Sequence, residues 1–402
     1  AAAAHAEAAP GGAGTAAPGT RLGTQQGTAQ GTTQGTTQGT TQGTTQGTAG
    51  VMAAPQLEFI RQRLRDAGAK PVHEQRVLRH WLHALPLEAG RRRIEHFLPL
   101  ALRRQLPPLL AELQALAQLH SVHAGADGAE RWLLRLADGA SVEAVLLPRD
   151  GLCVSTQVGC AVGCVFCMTG RAGLQRSLSS AEIVAQLVLA RTRRRVAKVV
   201  FMGMGEPAHN LDAVLEAIEL MGTAGGIAHK KLVLSTVGDA RVFERLPLGL
   251  VKPALALSLH SLQAERRAQL LPRAPRIDPA ELVLRAEAYA RASGYPLQLQ
   301  WTLLGGVNDG DDEVDALARL LAGRYAVLNL IPCNRVGGLP WSRPAMEHAA
   351  AMARTLHRRG VLTKLRRSAA QDVDGGCGQL RARVLPMVPV ACAVPAAPTA
   401  PP

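Results

Sequence analysis

Aromatic side chains are scarce in this chain: 5 Phe, 4 Trp and 3 Tyr, 3% of 402 residues. A surface that holds its partner mainly by aromatic stacking has little to build with. No apolar run reaches the roughly 18 residues that span a bilayer, which excludes a helical membrane anchor. The first residues lack the charged-then-apolar pattern of a secretory signal. A secreted disulfide scaffold is excluded too, because the seven cysteines are odd in number and three of them crowd into residues 160–167. Thiols used in that way suit a reducing compartment, as reactive or metal-bound groups. The expectation is a soluble, cytoplasmic protein with no membrane association.

What is abundant is positive charge and low-complexity sequence. Lys and Arg number 45 against 31 Asp and Glu, a formal net charge of +14. A surface of that sign attracts polyanions through long-range Coulomb forces and counterion release. The arginines cluster at 91–93, 103–104, 193–195, 358–359 and 366–367. Any one cluster reads equally as a solvated helix face. From Gly23 to Gly50 a four-residue period of Gly, Thr and Gln offers nothing to bury, so residues 1–50 read as a disordered tail. Residues 386–402, rich in Pro and Ala, read as a second tail. High Ala, Leu and Arg with little Lys fits a GC-rich coding bias, so composition carries little weight in choosing a fold.

Patterning carries more. Over 55–120 apolar residues recur at three- and four-residue spacing, as in LEFIRQRLRDAG and HEQRVLRHWLHAL, and predict helices broken by Pro86, Pro99 and the Pro107–Pro108 pair. Residues 130–148 predict a hairpin about an Asp-Gly turn. The two together make a small N-terminal domain, 51–148. From 149 to 385 strand-like runs at 151–157, 197–203, 231–236, 254–259, 297–303 and 326–331 alternate with helical runs near 180–194, 211–222, 240–246, 279–293, 312–322 and 345–359. Residues 361–367 offer a last strand. Six βα units in succession imply an α/β fold with a parallel sheet and helices outside it. Glu206, Ser235, His260 and Asn334 end strands, and in a parallel barrel those ends form the active face.

The sharpest signal is VGCAVGCVFCMTG, with Cys160, Cys164 and Cys167 spaced by four and three. Three thiolates in one loop can wrap three corners of a cubane cluster. A structural zinc site would want a fourth ligand at similar spacing, and the loop has none. Three ligands leave one iron open. MGMGEP at 202–207 adds glycines that allow close backbone approach to a ligand and, at Glu206, a carboxylate for an ammonium group.

LCVSTQVGCAVGCVFC, FMGMGEPAHNLDAV, LVLSTVGD, LALSLHS, GVNDG, NLIPCN and DVDGGCGQL, in this order, resemble the RlmN/Cfr family of radical S-adenosylmethionine (SAM) RNA adenine methyltransferases. The likeness spans about 143–380, more weakly 55–142. It implies a partial (β/α)6 barrel with a small helical N-terminal domain and hairpin, one 4Fe–4S cluster on Cys160, Cys164 and Cys167, and SAM contacts at Gly205, Glu206, Ser235, Ser258, Leu259, His260 and Asn334. It also implies a methyl-carrying Cys377, a resolving Cys153 and a general base at Glu143. By this resemblance Cys377 takes a methyl group from one SAM and passes it to carbon 2 of an adenine in ribosomal or transfer RNA. A second SAM is cleaved at the cluster, and Cys153 then releases the product as a disulfide forms with Cys377. An external donor such as flavodoxin or ferredoxin supplies electrons. Read singly, Cys153 and Cys377 pass as buried core cysteines, Glu143 as an exposed strand carboxylate and His260 as a satisfied strand-end histidine. Trp301, Trp341 and Phe166 are the aromatics nearest the active face. Cys333 and Cys392 match nothing functional. The competing functions are a radical SAM enzyme acting on another substrate and a non-catalytic RNA-binding protein.

Overall fold

The computed structural model describes residues 55–87 and 94–382; the 1–50 repeat, Arg91 to Arg93, Cys392 and the 386–402 tail lie outside them. The chain opens with helices α1 (Leu57–Asp66), α2 (Pro71–Leu82) and α3 (Leu100–Ala115). The first two follow the amphipathic runs; the third does not break where the proline pair predicts. Pro107 and Pro108 sit inside α3. Interior proline costs roughly 3 kcal/mol. Here α3 buries Leu102, Leu106, Leu109 and Leu113, and such burial is worth about 1.5–3 kcal/mol for each side chain. Packing overrides the local break.

Strands β1 (Ala117–Ala124), β2 (Glu130–Leu136) and β3 (Ser141–Leu147) follow as an antiparallel run. The β2–β3 turn is the expected Asp-Gly, with Gly139 at φ +86°. β1 corrects the reading of 117–120 as helix: the run alternates and pairs along β2 as an edge strand. The stretch 151–157 is split into β4 (Gly151–Cys153) and β5 (Gln157–Gly159), which pairs with β6 (Leu174–Ser177) in a separate ribbon. Helix α4 (Ser180–Arg193) starts on a reciprocal Ser179–Glu182 cap.

The alternation then runs β7 (Lys198–Phe201), α5 (Leu211–Gly222), β8 (Leu232–Thr236), α6 (Ala240–Arg245), β9 (Ala254–Ser258), α7 (Ala264–Leu270), α8 (Pro279–Ser293), β10 (Leu297–Leu303), α9 (Asp311–Leu321), β11 (Ala326–Pro332), α10 (Met346–Arg358) and β12 (Thr363–Leu365). Asp278 caps α8 ahead of Pro279, and left-handed Gly294 ends it. One ten-stranded sheet has the order β1-β2-β3-β4-β7-β8-β9-β10-β11-β12, parallel from β4 onward. The N-terminal hairpin thus shares hydrogen bonds with the βα strands through β3 and β4.

Side-chain alternation divides the sheet into two faces. Leu255 and Leu257 on β9 and Leu328 and Leu330 on β11 fall on one, Leu257 lying beside Leu282 of α8. By register the other face carries Glu143, Cys153, Val200, Ser235, Ala256, Ser258, Gln300 and Asn329. Small and polar side chains there leave a hollow instead of a packed core.

Candidate active site

The cysteine loop spans the 14 residues between β5 and β6 and is tied down from three directions. The Val165 amide donates to Leu270 O (3.1 Å) and the Arg273 amide to Val162 O (3.2 Å), anchoring the loop to the end of α7. Trp341 Nε1 donates to Val165 O at 2.9 Å. The Met168 amide donates to Gly378 O (2.8 Å) and Thr169 Oγ1 to Leu380 O (2.7 Å), so the loop is laced to the segment around Cys377. Gly163 turns at φ +68° and is packed so closely that a Cβ on Gly170 would lie 2.8 Å from its Cα. Burial pushes the Cys160 thiol up to about 12 and that of Cys164 well above its ordinary value; Cys164 also feels Cys167, Cys160 and Glu206. Among the described residues no three His, Cys, Asp or Glu side chains converge as ligands of a single metal ion. Thiolates that each bind a different iron of a cubane have no need to converge.

Glu206 follows β7 and is 5% exposed. One carboxylate oxygen accepts the Ala208 amide and the other the Val237 amide, both at 3.1 Å. Burial raises its carboxyl to about 7. Among the described residues no cation lies within ion-pair distance of it. The glycines of MGMGEP are also required by packing. A Cβ on Gly203 would sit 2.7 Å from Val154 O, and one on Gly205, at φ +105°, 2.7 Å from Gln157 Cβ. They let this turn press against the chain between β4 and β5.

Ser235 and Ser258 stand near the ends of β8 and β9, with Leu259 and His260 just beyond. His260 takes a left-handed conformation (φ +63°), accepts the Thr302 amide at Nδ1 (2.9 Å) and meets the Phe166 ring edge-on at 4.9 Å. Burial depresses its pKa to about 3, so the ring is neutral with its proton on Nε2. Asn334 donates to Cys377 O (2.8 Å) and Ser368 Oγ (3.1 Å), while its Oδ1 is buried without a partner among the described residues.

Cys377 lies within Coulombic reach of Cys153. Cys377 is reachable by solvent, yet protein surrounds it and burial raises its thiol, an effect opposed by the Ser368 hydroxyl and Arg366. Cys153 ends β4; burial first, then the charge of Cys377, lifts its thiol to about 12. Both are free thiols. Glu143 is a fully buried residue of β3, not the exposed strand carboxylate that it resembles when read alone. Arg131 holds one of its oxygens and the Arg381 amide donates to the other at 2.8 Å. Burial raises its pKa despite these partners. Trp301 does not face the hollow: it is fully buried, and its Nε1 donates to Asn308 O.

Residues 154–321 match the family model of the radical SAM superfamily. A probable RNA methyltransferase from Leptothrix cholodnii is 70% identical over 330 residues, 82% of this chain and 95% of that protein. One from Aromatoleum aromaticum is 72% identical over 330 residues, 82% of this chain and 93% of that protein. The chain belongs to the radical SAM superfamily, among its methyltransferases. A crystal structure of a radical SAM methyltransferase from Sphaerobacter thermophilus superposes with a TM-score of 0.71 at 32% identity, covering 83% of this chain and 99% of the other.

A radical SAM methyltransferase uses a 4Fe–4S cluster and SAM, and the residues present fit both. Cys160, Cys164 and Cys167 could hold the cluster: clustered, desolvated thiols are costly to ionise alone, and binding to iron removes that cost. Glu206, a sealed carboxylate without a cation, suits the SAM ammonium group. The orphaned Asn334 Oδ1 awaits a donor.

Sequence reading missed Arg267. It lies on α7, 4% exposed, with Nη2 donating to Val237 O and Ser258 O, and within Coulombic reach of Cys164 and Glu206. Burial lowers its pKa to about 10. The only available signal was the arginine pair in AERRAQL, which reads as a solvated helix face.

Proposed function

We propose that this chain is a member of the RlmN/Cfr group that methylates carbon 2 of an adenine in ribosomal or transfer RNA. Cys377 is its methyl carrier and Cys153 its releasing thiol. RNA enters this reading from the names of the relatives. What supports the two-thiol route is that Cys153, which ends the first parallel strand, and Cys377, beyond the last, lie within Coulombic reach of each other.

An adenine ring carbon is too electron-poor to displace a methyl group from a sulfonium, so the step is divided by a covalent carrier. Cys377, as thiolate, accepts a methyl group from SAM. The cluster, held by Cys160, Cys164 and Cys167, supplies with a second SAM the one-electron chemistry that activates that methyl for bonding to the adenine. Gly205, Glu206, Ser235, Ser258, Leu259, His260 and Asn334 seat SAM over the hollow. The Cys377–adenine adduct gives up its odd electron, which returns to the same one-electron centre, and Glu143 takes its ring proton. Cys153 attacks the sulfur of Cys377; the electron pair of the broken C–S bond stays on carbon, which gains a proton and becomes the product methyl. The resulting disulfide needs two electrons to reopen, which a cytoplasmic donor of the flavodoxin or ferredoxin type supplies. The helices and hairpin of 51–148 share in RNA contact. Among the described residues no helix is long and apolar enough to cross a membrane.

Anaerobically reconstituted enzyme, given SAM, reductant and total RNA, should yield a methyladenine by nucleoside mass spectrometry. Cys377→Ala should abolish it. Cys153→Ala should accumulate a covalent protein–RNA adduct; normal turnover by that variant would overturn the two-thiol route.

A further inference from the structure

The cysteine loop and Glu206 stand at the C-terminal ends of the strands. At the opposite rim, between the end of α4 and the chain entering β7 and β8, lies a cavity of about 530 Å³. Among the described residues Arg191, Arg194, Arg195, Lys231 and His83 line it, with no Asp or Glu. Two of its guanidinium groups are fixed by backbone carbonyls, not by carboxylates. Arg191 donates to Leu82 O and Gly225 O, each at 2.8 Å, and Arg194 to Leu147 O. Arg194 Nε is buried and has no partner among the described residues. Only Arg195, largely exposed, reaches an acid, Asp150 at 3.2 Å. Cations at a helix C-terminus offset its dipole, which accounts for the arginines of α4 but not for Lys231 and His83 converging on them from other elements. Burial, and then the charge of Arg191, lower the pKa of His83, so the positive charge rests on the arginines and Lys231, and an anion entering among them relieves their repulsion.

We propose that this rim cavity binds the phosphate backbone of the substrate RNA, away from the reacting adenine. The proposal rests on the RNA reading above and adds a second, sequence-independent contact of the kind that positions a nucleic acid without reading its bases.

The test uses reconstituted holoenzyme and a fluorescein-labelled RNA hairpin with an adenine in its loop, titrated by anisotropy between about 50 and 200 mM salt. Arg194→Gln/Lys231→Gln should weaken binding by about tenfold or more at low salt. It should also reduce the slope of log K against log salt by nearly 2, about 0.9 for each lost phosphate contact. Lys231→Gln alone, which disturbs no packing contact, should reduce the slope by about 1. Iron content and SAM affinity should match wild type in both. Wild-type affinity and slope in the Lys231 variant and the double variant would overturn the cavity assignment while leaving the RNA reading intact. If the wild-type protein binds iron and SAM but not the hairpin, the RNA reading falls and this site with it.

Discussion

A carboxylate sealed from water with no cation in ion-pair contact holds its proton more tightly, and Glu206 is in that position, Arg267 being within Coulombic reach but unpaired with it. Its carboxyl rises from an ordinary 4.5 to about 7 because of burial. At pH below 4.5 it is protonated folded or unfolded and adds nothing to pH dependence. Between 4.5 and 7 the unfolded chain ionises while the folded one does not, so stability falls as pH rises. Above 7 the loss levels off at about 3 kcal/mol. An ammonium group docking on Glu206 removes the penalty, because the ionised form then has a partner. SAM affinity should therefore drop by about tenfold for each pH unit below 7 and be flat above it. Calorimetric titration of SAM into reconstituted enzyme at several pH values checks this. Glu206→Gln should abolish the pH dependence and weaken SAM binding throughout, with iron content unchanged.

At the scale of elements, the parallel strands were legible as short β-prone runs set between helical ones, and ALALS on β9 and LQLQWTL on β10 alternate leucines with small or polar groups. Their polar ends marked Ser235, whereas Ser258 came from the family resemblance alone. What stayed hidden has tertiary causes. α3 runs through two prolines because its buried leucines outweigh them, β1 exists because β2 offers an edge, and α7, seven residues long, gains its place by docking Arg267 under the cysteine loop. Read singly, Cys377 passed as a buried core cysteine; the tight fit of its loop became visible only in three dimensions. A Cβ on Gly376 would stand 2.6 Å from both Asn334 Nδ2 and Gln379 Oε1. Gly376→Ala must move Asn334 or the Cys377 backbone, and misplacement of about 1 Å costs on the order of a hundredfold in rate. Methylation of Cys377, followed by intact-protein mass spectrometry in single turnover, should slow by that order while the cluster content holds.

Across the whole molecule, the segment after β12 connects the two ends of the sheet. Ala370 and Ala126 amides exchange hydrogen bonds with Asp127 and Asp372 (3.1 and 2.8 Å), and the Arg381 amide reaches Glu143 on β3. Cys377 is carried on this return path, which is fastened through Arg381 to the buried Arg131–Glu143 pair, 2% and 0% exposed. A buried pair adds little net stability over an apolar replacement, yet removing one partner strands the other charge at about 3–5 kcal/mol. Arg131→Met should therefore destabilise the protein by that amount in urea unfolding. Arg131→Met/Glu143→Leu should recover most of the loss, because no charge is left uncompensated. If the ion pair also positions the return segment and Glu143 takes the ring proton, the recovered double variant will fold and bind iron but form no methyladenine. A stable double variant with wild-type turnover would show that Glu143 only fastens the C-terminal segment.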